Sequence, residues 1–353
     1  MKVVVLSALG NEAARRCIDS LLKSAPSTDF DLYLVRERGF REQTLNFALS
    51  LAGTNDDLLF VGDDIEFTPG WHEALVTNYC RGDILGMCML YPDTDKVQDR
   101  GYDLVQVDDR ITLEAMDRGA RRGEIEPFGT RFCDALCGCF MLVKAGVFAL
   151  VPGFSEEGQN RWGEFIFASQ ARQSGATVAV IDHFLYHGGQ STKSNPDKAL
   201  SSISYQVERD IWQDIAQRYV DPADVRIRLR SGLEPGFRAR LEDESRRMLF
   251  YGIGTVSEFL LNETQPDPAR VAFCSGLPEE VGLEFYGQEV LAANQVDLRR
   301  FDCILMTPLY IGERLFRQVL LPRIPRGFVG TVSVVEVERL ARDLVYRCRP
   351  LPL

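Results

Sequence analysis

Leu58-Leu59-Phe60-Val61-Gly62-Asp63-Asp64-Ile65-Glu66-Phe67 decides the reading of this 353-residue chain. Four apolar residues in a row read as a buried strand, which stops at a glycine followed by two adjacent carboxylates. In an open α/β sheet that position is the C-terminal strand edge, where ligands bind. Acids crowded there repel one another until a cation joins them. Hard ions such as Mg²⁺ and Mn²⁺ take oxygen ligands and can bridge to a diphosphate. A solvated acidic turn is the bland alternative for the same residues.

Outward from this strand the chain keeps an α/β rhythm. Lys2–Leu9 reads as a buried strand, and Asn11 caps a helix through Leu22. Asp31–Val35 is a second strand, Arg41–Leu51 a helix, and Pro69 with Trp71 opens a helix toward Tyr79. This alternation predicts a parallel sheet. Residues 92–131 are polar and read as a surface segment with Arg100, Arg121 and Arg122 solvated. Leu136–Leu142 returns to a buried pattern, followed by a helix at Trp162–Ser174, a strand at Thr177–Ile181 and a helix at Asp197–Tyr219. Pro222, Gly232, Pro235 and Gly236 punctuate a linker over 221–245, which divides a first domain, 1–220, from a second, 246–353.

The second domain restarts the rhythm with strands at Met248–Gly252, Arg270–Cys274, Phe301–Thr307 and Gly330–Val335 and a helix at Thr255–Leu261. Gly252-Ile253-Gly254-Thr255-Val256-Ser257 resembles a dinucleotide-binding turn. It lacks the third glycine, and no acid ends the next strand. The expectation is therefore a Rossmann-like accessory domain without a nucleotide, able to position an acceptor or support a homo-oligomer.

Composition narrows the class. Hydrophobic residues make up 45% and charged residues 26%, which excludes a disordered chain. A net charge of −11 argues against nucleic acid as a partner. The acid excess lies within 1–215, so a phosphorylated ligand there needs a neutralising cation. There is no apolar run of about 20 residues to cross a membrane. The first residues lack a signal-peptide layout. Nine cysteines without regular spacing suit reduced thiols, and the expectation is a cytoplasmic protein. Cys133, Cys137 and Cys139 are close together but form no Cys-x-x-Cys pair. They read as small buried apolar residues rather than a zinc site.

Five stretches in order resemble family 2 glycosyltransferases with the GT-A fold, over about residues 1–215. The segment from Leu58 to Trp71 is similar to their apolar strand, acidic cluster and Pro-Gly-Trp. Arg41-Glu42-Gln43-Thr44-Leu45-Asn46 is similar to the preceding helix, and Gly138-Cys139-Phe140-Met141 to the Gly-x-Phe-Met stretch that leads to a Gly-Phe turn, here Gly153-Phe154. Trp162-Gly163-Glu164-Phe165-Ile166 resembles the segment with the catalytic-base carboxylate, and Tyr186-His187-Gly188-Gly189 the histidine that ends the domain.

The resemblance implies a mixed, mainly parallel sheet flanked by helices and an inverting, metal-dependent transfer of a sugar to a hydroxyl acceptor, in polysaccharide or glycoconjugate synthesis. It assigns Mn²⁺ or Mg²⁺ to Asp64, His187 and Asp63, with Glu66 a helper and His183 a competing ligand. The nucleotide-diphosphate donor falls to Glu37, Arg41, Asn46 and Asp63, and the acceptor to Trp162, Gly138 and Phe140. Glu164 takes the base position, its carboxylate expected beside Trp162. Trp162 reads equally as core or as a platform for a sugar ring. Gly62 and Gly163 replace residues of the family pattern, and no Asp ends the strand at Val35. These departures support the alternative of a degenerate transferase that binds a sugar nucleotide or glycan without turnover. A nucleotidyltransferase is a weaker rival, because Ser7–Asn11 makes a poor phosphate loop.

Overall fold

The apolar runs carry hydrophobic side chains on both faces, and this decides the layering. In the strands Lys2–Ser7 and Leu58–Gly62, Val4, Leu6, Leu58 and Phe60 enter one cluster while Val3, Val5, Leu59 and Val61 enter another. Such strands need cover on both sides, and helices provide it. The computed structural model describes residues 1–7, 11–25, 30–36, 41–92, 94–108, 110–158, 162–188, 205–225, 227–308, 312–340 and 343–352. The chain forms two compact units. One comprises Met1–Val105, Ile111–Ser202 and Asp210–Ile227, the other Gln106–Arg110, Ile203–Arg209 and Arg228–Leu353.

In chain order the first part runs β1 (Lys2–Ser7), α1 (Asn11–Ser24), β2 (Asp31–Arg36), α2 (Arg41–Ala52), β3 (Leu58–Gly62), β4 (Ile65–Glu66), α3 (Trp71–Asn78) and β5 (Ile84–Leu90). Then come β6 (Val97–Asp99), β7 (Tyr102–Val107), β8 (Arg110–Ala115), β9 (Thr130–Phe132), β10 (Phe140–Val143), α4 (Ala145–Leu150), α5 (Gly163–Gln173), β11 (Val178–His187) and α6 (Tyr205–Tyr219). The first unit's sheet has the order β2-β1-β3-β10-β5-β11-β4. Its long strands are parallel except β10, which runs antiparallel to both β3 and β5. Helices α2 and α5 cover one face through Leu45, Leu49, Phe167 and Ala171, while α1 and α3 cover the other through Leu21, Trp71 and Leu75. This is the mixed, mainly parallel sheet flanked by helices that the resemblance implies; the antiparallel β10 departs from the parallel sheet read from the α/β rhythm.

Two stretches depart from expectation. The strand predicted at 177–181 continues to His187, with a register shift between Ile181 and Phe184 that accommodates Asp182 and His183. The polar segment 92–131 is partly interior. Arg100 is 2% exposed, because it pairs with Asp117 at 2.6 Å and Asp182 at 3.1 Å and stacks its guanidinium 4.2 Å from the Phe128 ring centre. A charge so placed is tolerated only when paired, and two carboxylates supply the pairing.

The second unit contains β12 (Ile227–Leu233), α7 (Pro235–Glu242), β13 (Met248–Tyr251), α8 (Thr255–Thr264), β14 (Val271–Ser275), β15 (Glu284–Phe285) and β16 (Gln288–Ala292). It ends with β17 (Cys303–Met306), α9 (Gly312–Leu315), β18 (Thr331–Leu340) and β19 (Asp343–Pro350). The stretch expected as a linker, 221–245, thus holds a strand and a helix: β12 pairs with β19, and Phe237 and Leu241 of α7 enter the second core. The parallel core β16-β14-β13-β17-β18 has the strand order 3-2-1-4-5 of doubly wound sheets. At its Gly-x-Gly turn the Ser257 hydroxyl donates to the Gly252 carbonyl at 2.7 Å.

Asp99, at the end of β6, is 1% exposed, and burial pushes its carboxyl from 3.8 up to about 6 against the opposing pull of Arg118 and the Gly101 amide. Its folded pKa lies above the unfolded one, so its contribution is complete below 3.8 and is lost as pH rises through about 6. Asp99→Asn is therefore expected to gain stability relative to the parent by about 3 kcal/mol between about pH 4 and about pH 7. Urea unfolding at a series of pH values checks this, and a pH-independent difference would refute it.

Candidate active site

Three segments meet at the C-terminal edge of the first sheet. β3 ends at Gly62 and delivers Asp63 and Asp64 there. The Gly62 N–H donates to the Cys139 carbonyl at 2.8 Å, so the residues entering β10 lie against this turn. β4 pairs antiparallel with the end of β11, placing Ile65 opposite His187, and the Gly188 N–H donates to the Asp64 carbonyl at 2.9 Å. These backbone bonds bring His187 Nε2 to 3.5 Å from Asp64 Oδ2. A Cβ on Gly188 would stand only 3.0 Å from the Asp64 Cβ, so the close approach favours glycine there.

The other ring nitrogen of His187, Nδ1, lies 3.0 Å from Gln98 Oε1. With Gln98 accepting, the ring carries its proton on Nδ1 and presents the Nε2 lone pair toward Asp64. Burial pulls the imidazole below its ordinary range; Asp64 opposes this and the Arg41 charge reinforces it. A neutral imidazole nitrogen facing a carboxylate oxygen fits a divalent cation, whose bonds to such atoms are about 2.0–2.2 Å. Asp63 is different. It is 2% exposed and lies beside Cys17 of α1, whose thiol burial, Asp63 and Asp64 together push up to about 12.

Glu164 sits in the first turn of α5, and Arg41 in the first turn of α2. Arg41 Nε donates to Glu164 Oε1 at 2.6 Å, and its terminal nitrogen donates to the Gly138 carbonyl at 2.8 Å. Both side chains are 11% exposed. Burial would lower the Arg41 guanidinium, but Glu164 more than offsets this and holds it up. A Cβ on Gly138 would overlap the Glu164 carboxylate, so glycine lets that carboxylate lie flat on the 137–139 turn. Glu164 and Arg41 thereby share this turn with Asp64 and His187.

The remaining expected residues go elsewhere. Asn46 donates from Nδ2 to the Phe154 carbonyl at 2.8 Å and accepts from the Phe154 N–H at 2.8 Å, which makes it a clamp on the Gly153-Phe154 turn. Phe140, expected at the acceptor, has 0% exposure and packs against Phe67 and Trp71, so no ligand reaches it. Trp162 lays its indole against Trp212, ring centres 4.5 Å apart, and Arg41 rather than Trp162 is the partner of the Glu164 carboxylate. Glu66 is exposed, and His183 contacts Thr68 at 2.8 Å. Glu37 lies outside the described residues.

Sequence reading missed Gln98 and Glu42. Gln98 orients His187 from a segment read as surface. Glu42 has 0% exposure and packs where a Cβ on Gly163 would stand 2.3 Å from its Cγ. It also set aside the cysteines. Cys137 and Cys139 place their sulfurs 3.0 Å apart, and both lie within 4.8 Å of a ring nitrogen of His187. Burial pushes the Cys139 thiol well up, with Cys137 adding to the effect.

No family model and no curated protein matches the chain. Solved structures do. TarS 1–349 of S. aureus in complex with UDP-GlcNAc is similar at 15% identity and a TM-score of 0.37, over 63% of this chain and 69% of that one. GalNAc-T7 with UDP, GalNAc and Mn²⁺ is similar at 13% identity and a TM-score of 0.37, over 53% of this chain and 37% of that one. A197 from STIV is similar at 14% identity and a TM-score of 0.35, over 52% of this chain and 82% of that one. Among the described residues, no helix is long and apolar enough to cross a membrane.

The Asn46 clamp yields a prediction. Asn46→Ala strips partners from the Phe154 backbone and is expected to cost about 1–3 kcal/mol in denaturant unfolding. Nucleotide affinity in the same variant should stay within about twofold of the parent; a large affinity loss without loss of stability would return Asn46 to the donor pocket.

Proposed function

We propose that the first unit is a glycosyltransferase of the GT-A type, moving a sugar from a nucleotide-diphosphate donor to a hydroxyl acceptor with inversion. The observation that supports it most is the facing of Asp64 Oδ2 and His187 Nε2 at 3.5 Å, near the 137–139 turn against which the Arg41–Glu164 pair lies. One group of residues can engage a diphosphate through a cation, and the other can receive a proton. The five stretches that resemble family 2 enzymes supply both groups in order.

In this reading Glu164 accepts the acceptor hydroxyl's proton as that oxygen forms its bond to the anomeric carbon. The bond from that carbon to the diphosphate oxygen breaks, and its electron pair leaves with the diphosphate. Asp64 and His187 would hold a divalent cation, which when bound would supply neutralisation of that leaving charge. Arg41 holds one oxygen of Glu164 and so orients the carboxylate. Its positive charge also tempers repulsion between the acids gathered at this sheet edge.

The pairing of Glu164 with Arg41 also favours a second reading, a chain that binds a sugar nucleotide or glycan without turnover. The two separate on activity. Calorimetric titration of UDP, GDP, CDP and dTDP, with and without Mn²⁺, is expected to show one diphosphate that binds only with metal. Asp64→Ala should abolish that binding. With the matching sugar donor and an acceptor, Glu164→Gln should lower kcat by about 10²–10⁴-fold while donor affinity holds. Metal-dependent binding without turnover across acceptors would favour the binding protein; no binding of any diphosphate would remove the transferase reading.

A further inference from the structure

The donor atoms beside His187 are softer than a site for Mn²⁺ or Mg²⁺ requires. Hard ions are held by carboxylates, carbonyls and water, whereas thiolates select Zn²⁺ and similar ions. Here the sulfurs of Cys137 and Cys139 and a ring nitrogen of His187 lie within 4.8 Å of one another. Ligand atoms around a tetrahedral Zn²⁺, with bonds of about 2.0–2.3 Å, stand roughly 3.3–3.8 Å apart. The two sulfurs are 3.0 Å apart and no two of the three ligand atoms are more than 4.8 Å apart, so the set already stands close to that spacing.

Two further features belong to a metal centre rather than to three adjacent core residues. Gln98 Oε1 lies 3.0 Å from His187 Nδ1, the outer hydrogen bond that ligating histidines use to fix tautomer and ring orientation. Asp64 Oδ2 lies 3.5 Å from Nε2, an oxygen donor on the ring's other side. The three ligands come from two chain segments, the turn before β10 and the end of β11, which a metal would tie together.

We propose that Cys137, Cys139 and His187 bind a thiophilic divalent cation of the Zn²⁺ class, with the fourth position beside Asp64. The set is two thiolates and one imidazole, which leaves one position open, as catalytic zinc sites do. Binding releases the two thiol protons to solvent and involves no redox change. The proposal shares His187 and Asp64 with the transferase reading and refines which ion that site takes. It stands on the ligand geometry, not on donor binding.

The test is titration of the reduced, chelator-stripped full chain with Co²⁺, followed by Zn²⁺. One equivalent of Co²⁺ should give sulfur-to-metal charge-transfer absorbance and the intense visible bands of a tetrahedral ion, and Zn²⁺ should bleach both. Cys137→Ser and Cys139→Ser should each weaken the charge-transfer band. Asp64→Asn should keep it, and Gln98→Ala should lower metal affinity by about 10–100-fold. Circular dichroism on each variant separates loss of ligand from loss of fold. Thiol titration without reductant covers the alternative in which the two sulfurs are joined. Co²⁺ spectra without sulfur character, serine variants that bind as the parent does, or a Cys137–Cys139 disulfide that re-forms in the reduced chain would overturn the proposal. A thiolate signature with no nucleotide binding would sink the transferase reading and leave this site standing; Mn²⁺-dependent nucleotide binding without the signature would do the reverse.

Discussion

The first unit depends on the antiparallel insertion of β10 between β3 and β5, sealed by the 2.8 Å hydrogen bond from the Gly62 N–H to the Cys139 carbonyl. Reversing one strand brings its beginning to the edge where its parallel neighbours end. The turn at residues 137–139 therefore arrives beside Asp63 and Asp64. Had β10 run parallel, its four residues at about 3.3 Å each would have put that turn roughly 13 Å away, at the other edge. The short pairing of β4 with the end of β11 completes the arrangement by fixing His187 opposite Ile65.

Once these segments meet, electrostatics dominates. Asp63, Asp64 and Glu164 gather where water is scarce, in the part of the chain that holds the whole acid excess. Arg41 answers Glu164 through a 2.6 Å ion pair, and its near-complete burial is tolerable because that pair and the Gly138 carbonyl satisfy it. Arg100 is handled the same way at another place, between Asp117 and Asp182. The unit thus uses buried arginines as internal counter-ions. The Asp64 side has a neutral imidazole and two thiols instead, donors suited to a metal.

Much of the fold was legible because its signals are local. Continuous apolar runs at Val3–Leu6 and Leu58–Val61 announce strands buried on two faces, and the helices between them follow from their own periodicity. Where long-range pairing rules, the reading fell short. The strand through His187 contains Asp182 and His183, polar residues that end a strand pattern unless a bulge and the buried Arg100 accommodate them. The stretch 221–245 carries enough proline and glycine to look like a connection, yet β12 finds a partner in β19, more than a hundred residues away. Phe140 was legible as apolar but not as inaccessible, since only its packing against Phe67 and Trp71 decides that.

The sequence by itself determined the two α/β units, the strand that ends in adjacent carboxylates, and the order of the segments carrying Arg41, Asp64, Glu164 and His187. Those features depend on runs of about ten neighbouring residues, within which periodicity and turn chemistry act directly. Only the tertiary structure decided which of these side chains touch. It paired Glu164 with Arg41, committed Asn46 to the Phe154 backbone, and set Gln98, Cys137 and Cys139 around His187. The physical reason is strand direction and register: one reversed strand and one short pairing join positions that lie from about sixty to more than a hundred residues apart, and no local pattern encodes that meeting.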